Sequence, residues 1–161
     1  MTSSQPVLRR YTSKDKKDVV HLLRLNTPKF FNEIEEKELL IYLENHLEDY
    51  FVVDLAGSII GAGGINYFPE VNEARISWDL IHPEHQNKGV GKQLLIHRLE
   101  KIQSQTQIKK VVVRTSQLVV GFYTKMGFIT EYVKKDYWAP GLDLHFMSME
   151  IPLGSPNWKD I

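Results

Sequence analysis

At 161 residues, with 25% charged and 42% hydrophobic side chains, the chain has the size and balance of one globular domain with a sizeable core. Lysine plus arginine equals aspartate plus glutamate, 20 each, so no overall field favours nucleic acid or an anionic membrane as partner. The absence of cysteine excludes disulfides, thiolate metal sites and a cysteine nucleophile.

No apolar run is long enough to span a bilayer, and the first ten residues lack the apolar centre of a signal peptide; a cytoplasmic protein is the expectation. Residues 7–11 read as a first strand, and Ser13 as the cap of a helix whose apolar face is Val19, Val20, Leu22, Leu23 and Leu25. Pro28 ends that helix. A second helix starts near Asn32, with Glu35 placed for a capping box, and carries Leu39, Leu40, Leu43 and Leu47 at helical spacing. Residues 50–54 and 58–67 read as a hairpin around Ala56-Gly57. Gly61, Gly63 and Gly64 inside its second arm suggest a bulge or a close backbone approach.

Residues 73–81 alternate. Ala74, Ile76, Trp78 and Leu80 are expected on a core face, and Glu73, Arg75, Ser77 and Asp79 on the other. Pro83 then ends the strand, and a polar run leads to Gly89-Val90-Gly91. A helix follows over 90–103, with Val90, Leu94, Leu95, Leu99 and Ile102 as its buried stripe. Residues 110–115 are an apolar run suited to a buried strand. Residues 118–126 form a short helix ended by Gly127. Two closing strands, 128–137 and 144–151, meet through residues 138–141.

The strand, glycine loop and helix at 78–95 form a place for an anion. A helix N-terminus has unpaired N–H donors and partial positive charge, and glycines let phosphate oxygens approach the backbone. It is not a phosphate loop of the G-x-x-x-x-G-K-S/T type. It is not the dinucleotide fingerprint either, because the third glycine would fall at Leu94. On spacing alone, a tight turn that uses glycines stays open beside a ligand loop. His82 and His85 flank it and read as turn residues, and the six histidines lack metal-ligand spacing. Tyr123, with Val119, Phe122 and Met126, has the spacing of a packed helix face.

Gln86, Gly89 and Gly91 match Q/R-x-x-G-x-G/A after a strand, and Phe122-Tyr123-Thr124-Lys125-Met126-Gly127-Phe128 matches F-Y-x-x-x-G-F. In this order and separation the two segments resemble motifs A and B of the GNAT superfamily of acyl-CoA-dependent N-acyltransferases. The element order agrees from the first strand to Ile151. The resemblance implies an α/β fold: a central, mostly antiparallel, splayed sheet of about six or seven strands with helices on both faces. It implies a single domain over 1–151 with a C-terminal tail, 152–161. It also implies acetyl-CoA as acyl donor, with the loop Gln86, Asn87, Lys88, Gly89, Val90, Gly91 and Lys92 on its pyrophosphate. The backbone of Leu80, Ile81 and His82 would lie beside the pantetheine and thioester, with an N–H near Leu80 polarising the carbonyl.

Tyr123 would then protonate the departing thiolate. The family often carries an asparagine and a small residue upstream of that tyrosine; here Ser116 and Val119 stand there, and the shorter serine can still contact the cofactor. Arg75 occupies the position of a catalytic glutamate in some relatives and cannot act as base. Asp79 is the first choice for that role and Glu73 the second, with an outer-face, solvated reading of both left open. Aromatic stretches at 29–31 and 137–140 would wall the acceptor pocket, whereas Glu33, Glu35, Glu36 and Glu38 read as a solvated helix face. The expected partners are acetyl-CoA and a small-molecule or peptide amine, with no metal, nucleic acid or membrane, in a monomer or homodimer. A non-catalytic acyl-CoA sensor with the same fold is the alternative.

Overall fold

In a computed structural model, described for residues 5–152 and Trp158, the strands join into one seven-stranded sheet. In chain order the elements are β1 (Val7–Arg10), α1 (Lys16–Leu25), α2 (Glu35–Asn45), β2 (Asp49–Leu55), β3 (Ser58–Phe68), β4 (Glu73–Ile81), α3 (Val90–Gln103), β5 (Lys110–Thr115), α4 (Val120–Lys125), β6 (Ile129–Ala139) and β7 (Leu142–Glu150). The sheet order is β1-β2-β3-β4-β5-β7-β6, antiparallel except where β4 meets β5. The expected tail, 152–161, lies outside the described residues apart from Pro152 and Trp158.

Helix starts moved by a few residues for local reasons. Asp15 accepts the Thr12 N–H at 2.8 Å, so Thr12 rather than Ser13 opens a short 3-10 turn that leads into α1. Asn32 and Glu35 do pair, the Asn32 N–H donating to Glu35 Oε2 at 2.7 Å, but the helix proper begins only at Glu35. The last turn is also tighter than expected, because β6 runs through Trp138 to Ala139 and leaves Pro140-Gly141 between the strands.

Two apolar clusters sandwich the sheet. On one face, Leu94, Leu95, Leu99 and Ile102 of α3 pack with Val53, Ile65, Ala74, Ile76, Val111 and Val113. On the other, Val19, Leu22 and Leu23 of α1 and Leu39 and Leu43 of α2 pack with Val52, Ala62 and Leu80. Each valine, leucine and isoleucine among them contributes about 1.5–3 kcal/mol of burial, so the two layers fix the sheet between them.

The simple alternation expected for β4 fails at Trp78. Ala62 pairs with Leu80 but Gly64 with Ser77, so Gly63 stands opposite two residues, a β-bulge. Trp78 takes φ 50°, which is strained for a bulky side chain. Its carbonyl accepts the Tyr50 hydroxyl at 2.9 Å, and its ring stacks on Phe31 at 6.3 Å. The extra residue reverses the parity of the strand. Ala74 and Ile76 belong to the α3 face, Trp78 and Leu80 to the α1/α2 face. Asp79 is thereby turned toward α3 and α4, and it does not share a face with Glu73, Arg75 and Ser77.

Just before the bulge, β4 and β5 part. Their parallel pairing runs only from Glu73↔Lys110 to Ile76↔Val113. Beyond it, residues 77–81 have no strand partner on the β5 side, and a cleft of about 1710 Å³ opens there.

Candidate active site

The bulge, α3 and α4 bring three side chains into one chain of contacts. The Tyr123 hydroxyl on α4 donates to Asp79 Oδ2 at 2.5 Å. Asp79 Oδ1 forms an ion pair with Arg98 Nη2 at 2.5 Å. Arg98 is 0% exposed, and its remaining donors are anchored: Nη1 gives to the Gly64 carbonyl at 3.1 Å and Nε to that of Leu94 at 3.2 Å. A Cβ on Gly63 would lie 2.3 Å from Asp79 Oδ1 and 2.8 Å from Arg98 Nη1, which explains the glycine there. Burial, followed by the Asp79 charge, pushes the Tyr123 phenol well above its ordinary pKa, so it keeps its proton at neutral pH.

Sequence reasoning missed Arg98. It was hidden by its place in the apolar stripe of α3, three residues after Leu95 and four after Leu94. A charged residue at such a position must be paired when buried, and that was the available signal.

The glycine loop has the conformation of an anion cradle. Asn87 and Gly89 take φ 61° and 85°, and Gly89 caps α3. A Cβ on Gly89 would meet nothing within 4 Å, and one on Gly91 only Phe122, at 3.6 Å or more, and Ile81 at 3.9 Å. Crowding within the fold therefore does not demand these glycines, while the cleft they border does suit close approach by a phosphate. Gly121, whose added Cβ would also meet nothing within 4 Å, lines the same cleft from α4. The open space over these glycines leaves the loop backbone accessible from the cleft, as close approach by a phosphate requires.

The other expected site residues fall into distinct roles. Asn87, Gly91 and Lys92 line the cleft, Lys88 is exposed beside it, and Val90 is buried so that only its backbone is available. Gln86 lines the cleft too, but its Nε2 donates to Asn26 Oδ1 at 3.0 Å and to the Ile81 carbonyl at 3.3 Å. Asn26, itself buried at the end of α1, donates to the same carbonyl at 2.9 Å. That pair ties the strand end to the loop. Ser116 is buried at the cleft, its Oγ accepting the Leu118 N–H at 3.3 Å.

The His82 N–H donates to the Ile60 carbonyl at 2.8 Å, and His82 Nδ1 accepts the Glu84 N–H, a turn role. By antiparallel alternation the Leu80 N–H also points at β3, and the N–H of Ile81 faces the splay. A carbonyl in the cleft would be polarised from residue 81, not from residue 80. Glu73 lies at the paired end of β4, six residues and about 20 Å along the strand from Asp79, and it does not line the cleft.

Phe30, Phe31 and Trp138, from the two aromatic stretches, line the cleft together with Trp78 and Tyr42. One glutamate departs from the solvated face expected of it. Glu35 is 7% exposed, lines the cleft, and is pushed up to about 7, chiefly by burial. No group of side chains able to hold a metal ion occurs among the described residues, and no helix there is long and apolar enough to cross a membrane.

The Acetyltransferase (GNAT) family pattern matches residues 16–128, which contain the cleft loop, Asp79, Arg98 and Tyr123. An uncharacterized N-acetyltransferase of Chlorobaculum tepidum is 34% identical over 92 residues, a match that covers 57% of this chain and 56% of that protein. Among solved structures, the ribosomal-protein-S18-alanine N-acetyltransferase of Escherichia coli superposes with a TM-score of 0.77 at 14% identity, covering 95% of this chain and 98% of the other. The N-acetylglutamate synthase of Neisseria gonorrhoeae, solved with coenzyme A and N-acetyl-glutamate, superposes at 0.72 with 19% identity, over 94% of this chain and 36% of that one. At these identities the two structures establish a common fold.

Proposed function

Because this chain belongs to the GNAT acetyltransferase family, we propose that it transfers an acetyl group from acetyl-CoA to a primary amine by direct attack in a ternary complex. The observation that carries the reading is the 2.5 Å bond between Tyr123 and Asp79, placed where β4 leaves β5 and beside an open glycine loop. A cleft of about 1710 Å³ exceeds what one drug-sized ligand fills, roughly 300–1,000 Å³, and suits two substrates held together. Bound acetyl-CoA supplies the activated acyl group.

The chain's own groups handle the protons. As nitrogen bonds to the acyl carbon and the carbon–sulfur bond breaks, the nitrogen sheds one proton to the Asp79 carboxylate. Tyr123 gives its phenolic proton to the departing sulfur. Asp79 then returns the acquired proton to the Tyr123 oxygen along their shared hydrogen bond. The acid and base are thus reset by one another, and the net change is amine to amide and thioester to thiol. Arg98 is a positioning residue: its ion pair with Oδ1 holds the Asp79 carboxylate so that Oδ2 meets the Tyr123 hydroxyl. Gln86 to Lys92 hold the pyrophosphate through backbone N–H groups.

The test is thiol release from acetyl-CoA with a broad panel of primary amines. Amine-dependent release, with Asp79→Asn reducing turnover while CoA binding by calorimetry persists, is the expected result. CoA binding with no amine acetylated would instead point to a sensor domain.

A further inference from the structure

Ahead of the Trp78 bulge, where β4 and β5 are still paired, the cleft has a floor formed by the α1/α2 face of the two strands. Two arginines stand on it. Arg75 pairs in register with Val112, and Arg114 is two residues further along β5 on the same face, so their Cα atoms are about 8 Å apart by strand geometry. Both line the cleft. Neither lies within ion-pair distance of a carboxylate among the described residues. Both are held by aromatic rings instead. The Arg75 guanidinium sits 4.1 Å over Phe68, and its Nε is buried with no hydrogen-bond partner. Arg114 lies against Tyr137 and Trp138 at 5.3 and 5.6 Å and donates to the Tyr137 hydroxyl at 2.6 Å.

The carboxylates of the same cleft do not neutralise them. Glu48 accepts from Asn66 Nδ2 and the Tyr67 N–H, Glu35 accepts the Asn32 N–H, Asp79 is paired with Arg98, and the exposed Glu38 forms no ion pair with either arginine. A guanidinium held flat by an aromatic ring, with donors left open, is suited to a planar two-oxygen anion.

We infer that Arg75 and Arg114 form an anion subsite and that the acceptor is an amine that also bears a carboxylate, an amino acid or a short peptide. This rests on the acetyl-transfer reading for the amine end only; the arginine pair would bind a carboxylate whether or not transfer occurs. The amine would reach Asp79 through the splay while its carboxylate meets the arginines on the strand floor.

The experiment has two arms. In the first, kcat/KM is measured for matched acceptors with and without the carboxylate: phenylalanine and phenethylamine, leucine and isoamylamine, the dipeptide Ala-Phe and its amide. Phosphoethanolamine and ethanolamine test whether phosphate serves equally. Carboxylate-bearing acceptors should be preferred by about tenfold or more, and Arg75→Gln and Arg114→Gln should each raise KM for them by about tenfold while sparing the neutral amines. Arg75→Lys should recover part of the loss. In the second arm, N-acetylphenylalanine and N-acetylleucine are titrated calorimetrically into the wild type and both variants. Arginine-dependent binding without turnover of any amine would support the subsite and overturn acetyl transfer. Equal handling of matched pairs, or variants that bind and turn over carboxylates normally, would overturn the subsite and leave acetyl transfer standing. A preference for the phosphate pair alone would replace the carboxylate assignment.

Discussion

Arg98→Met removes the cation that Asp79 was built around. The guanidinium is wholly buried, whereas the Asp79 side chain keeps 23% of its surface exposed. Breaking a buried ion pair costs about 3–5 kcal/mol, and partial hydration of the surviving carboxylate sets the expectation at the low end, about 3 kcal/mol. The Gly64 carbonyl also loses its Arg98 donor, which keeps the cost from falling lower. For a chain of this size about 3 kcal/mol corresponds to a fall in Tm of roughly 6–12 °C. Urea unfolding followed by circular dichroism measures it directly. The specific part of the reasoning is tested by a cycle with Asp79→Asn. That change is nearly isosteric and keeps an oxygen for Tyr123. In the Arg98→Met background it should cost little or even stabilise, because no buried charge is left unpaired, giving a coupling above about 1 kcal/mol. Turnover should fall similarly in both single variants, with the KM for acetyl-CoA little changed. Additivity within about 0.5 kcal/mol, or an Arg98→Met cost below about 1 kcal/mol, would refute the account of a charge-paired acid–base centre.

Tyr123→Phe should reduce kcat by about 10²–10⁴ with CoA affinity preserved, measured by thiol release and calorimetry; unchanged turnover removes the acid role. Gly89→Val puts a β-branched residue at φ 85° and a side chain into the phosphate approach, so CoA binding should weaken more than the fold is destabilised; normal CoA affinity would count against the loop. Glu35 has a folded pKa raised to about 7 from an ordinary 4.5, so the folded state binds the extra proton between those values and stability falls as pH rises through that window. Allowing for screening at the cleft, Glu35→Gln should gain about 1–2 kcal/mol at pH 8 relative to pH 4, seen as a flatter Tm against pH; parallel profiles for the two proteins would contradict the burial argument.

Much of the scaffold could be read from local patterns. The bounds of β4, α3 and β5 follow from period-two alternation, from a helical stripe that begins at a glycine cap, and from a short continuous apolar run. The helix starts were harder to read, because Thr12 and Ser13 can both cap, and Asn32 can bond locally without the helix beginning at once. The bulge was illegible in β4 itself. Glu73 to Ile81 alternates without a break, and the only trace of a register change lay in the neighbouring strand, in the glycines at 61, 63 and 64. Gly63 in particular is small because Asp79 and Arg98 fill the space its side chain would need.

That one inserted residue explains why the candidate centre could be named but not assembled from sequence. With unbroken alternation, Asp79 would point with Ser77 toward α1 and α2, on the wrong side of the sheet for Tyr123 on α4. The bulge carries Asp79 through to α3 and α4 and at the same time turns Trp78 over to stack on Phe31 in the cleft wall. It also falls immediately after the last β4–β5 pair, so the strands separate at the point where the strand changes face. Splay, Asp79–Tyr123 bond and aromatic wall are therefore not three independent features but consequences of a single left-handed residue at 78. Its strain, about 1–3 kcal/mol by general experience, is borne by the Tyr50 hydrogen bond and the buried ion pair behind it. It follows that Tyr50→Phe, at a residue that does not itself line the cleft, should loosen all three together: a variant that stays folded yet shows a lower kcat and a higher acceptor KM in concert, with CoA affinity reduced least. If steady-state kinetics on Tyr50→Phe instead move only one of these, the bulge does not act as their common origin.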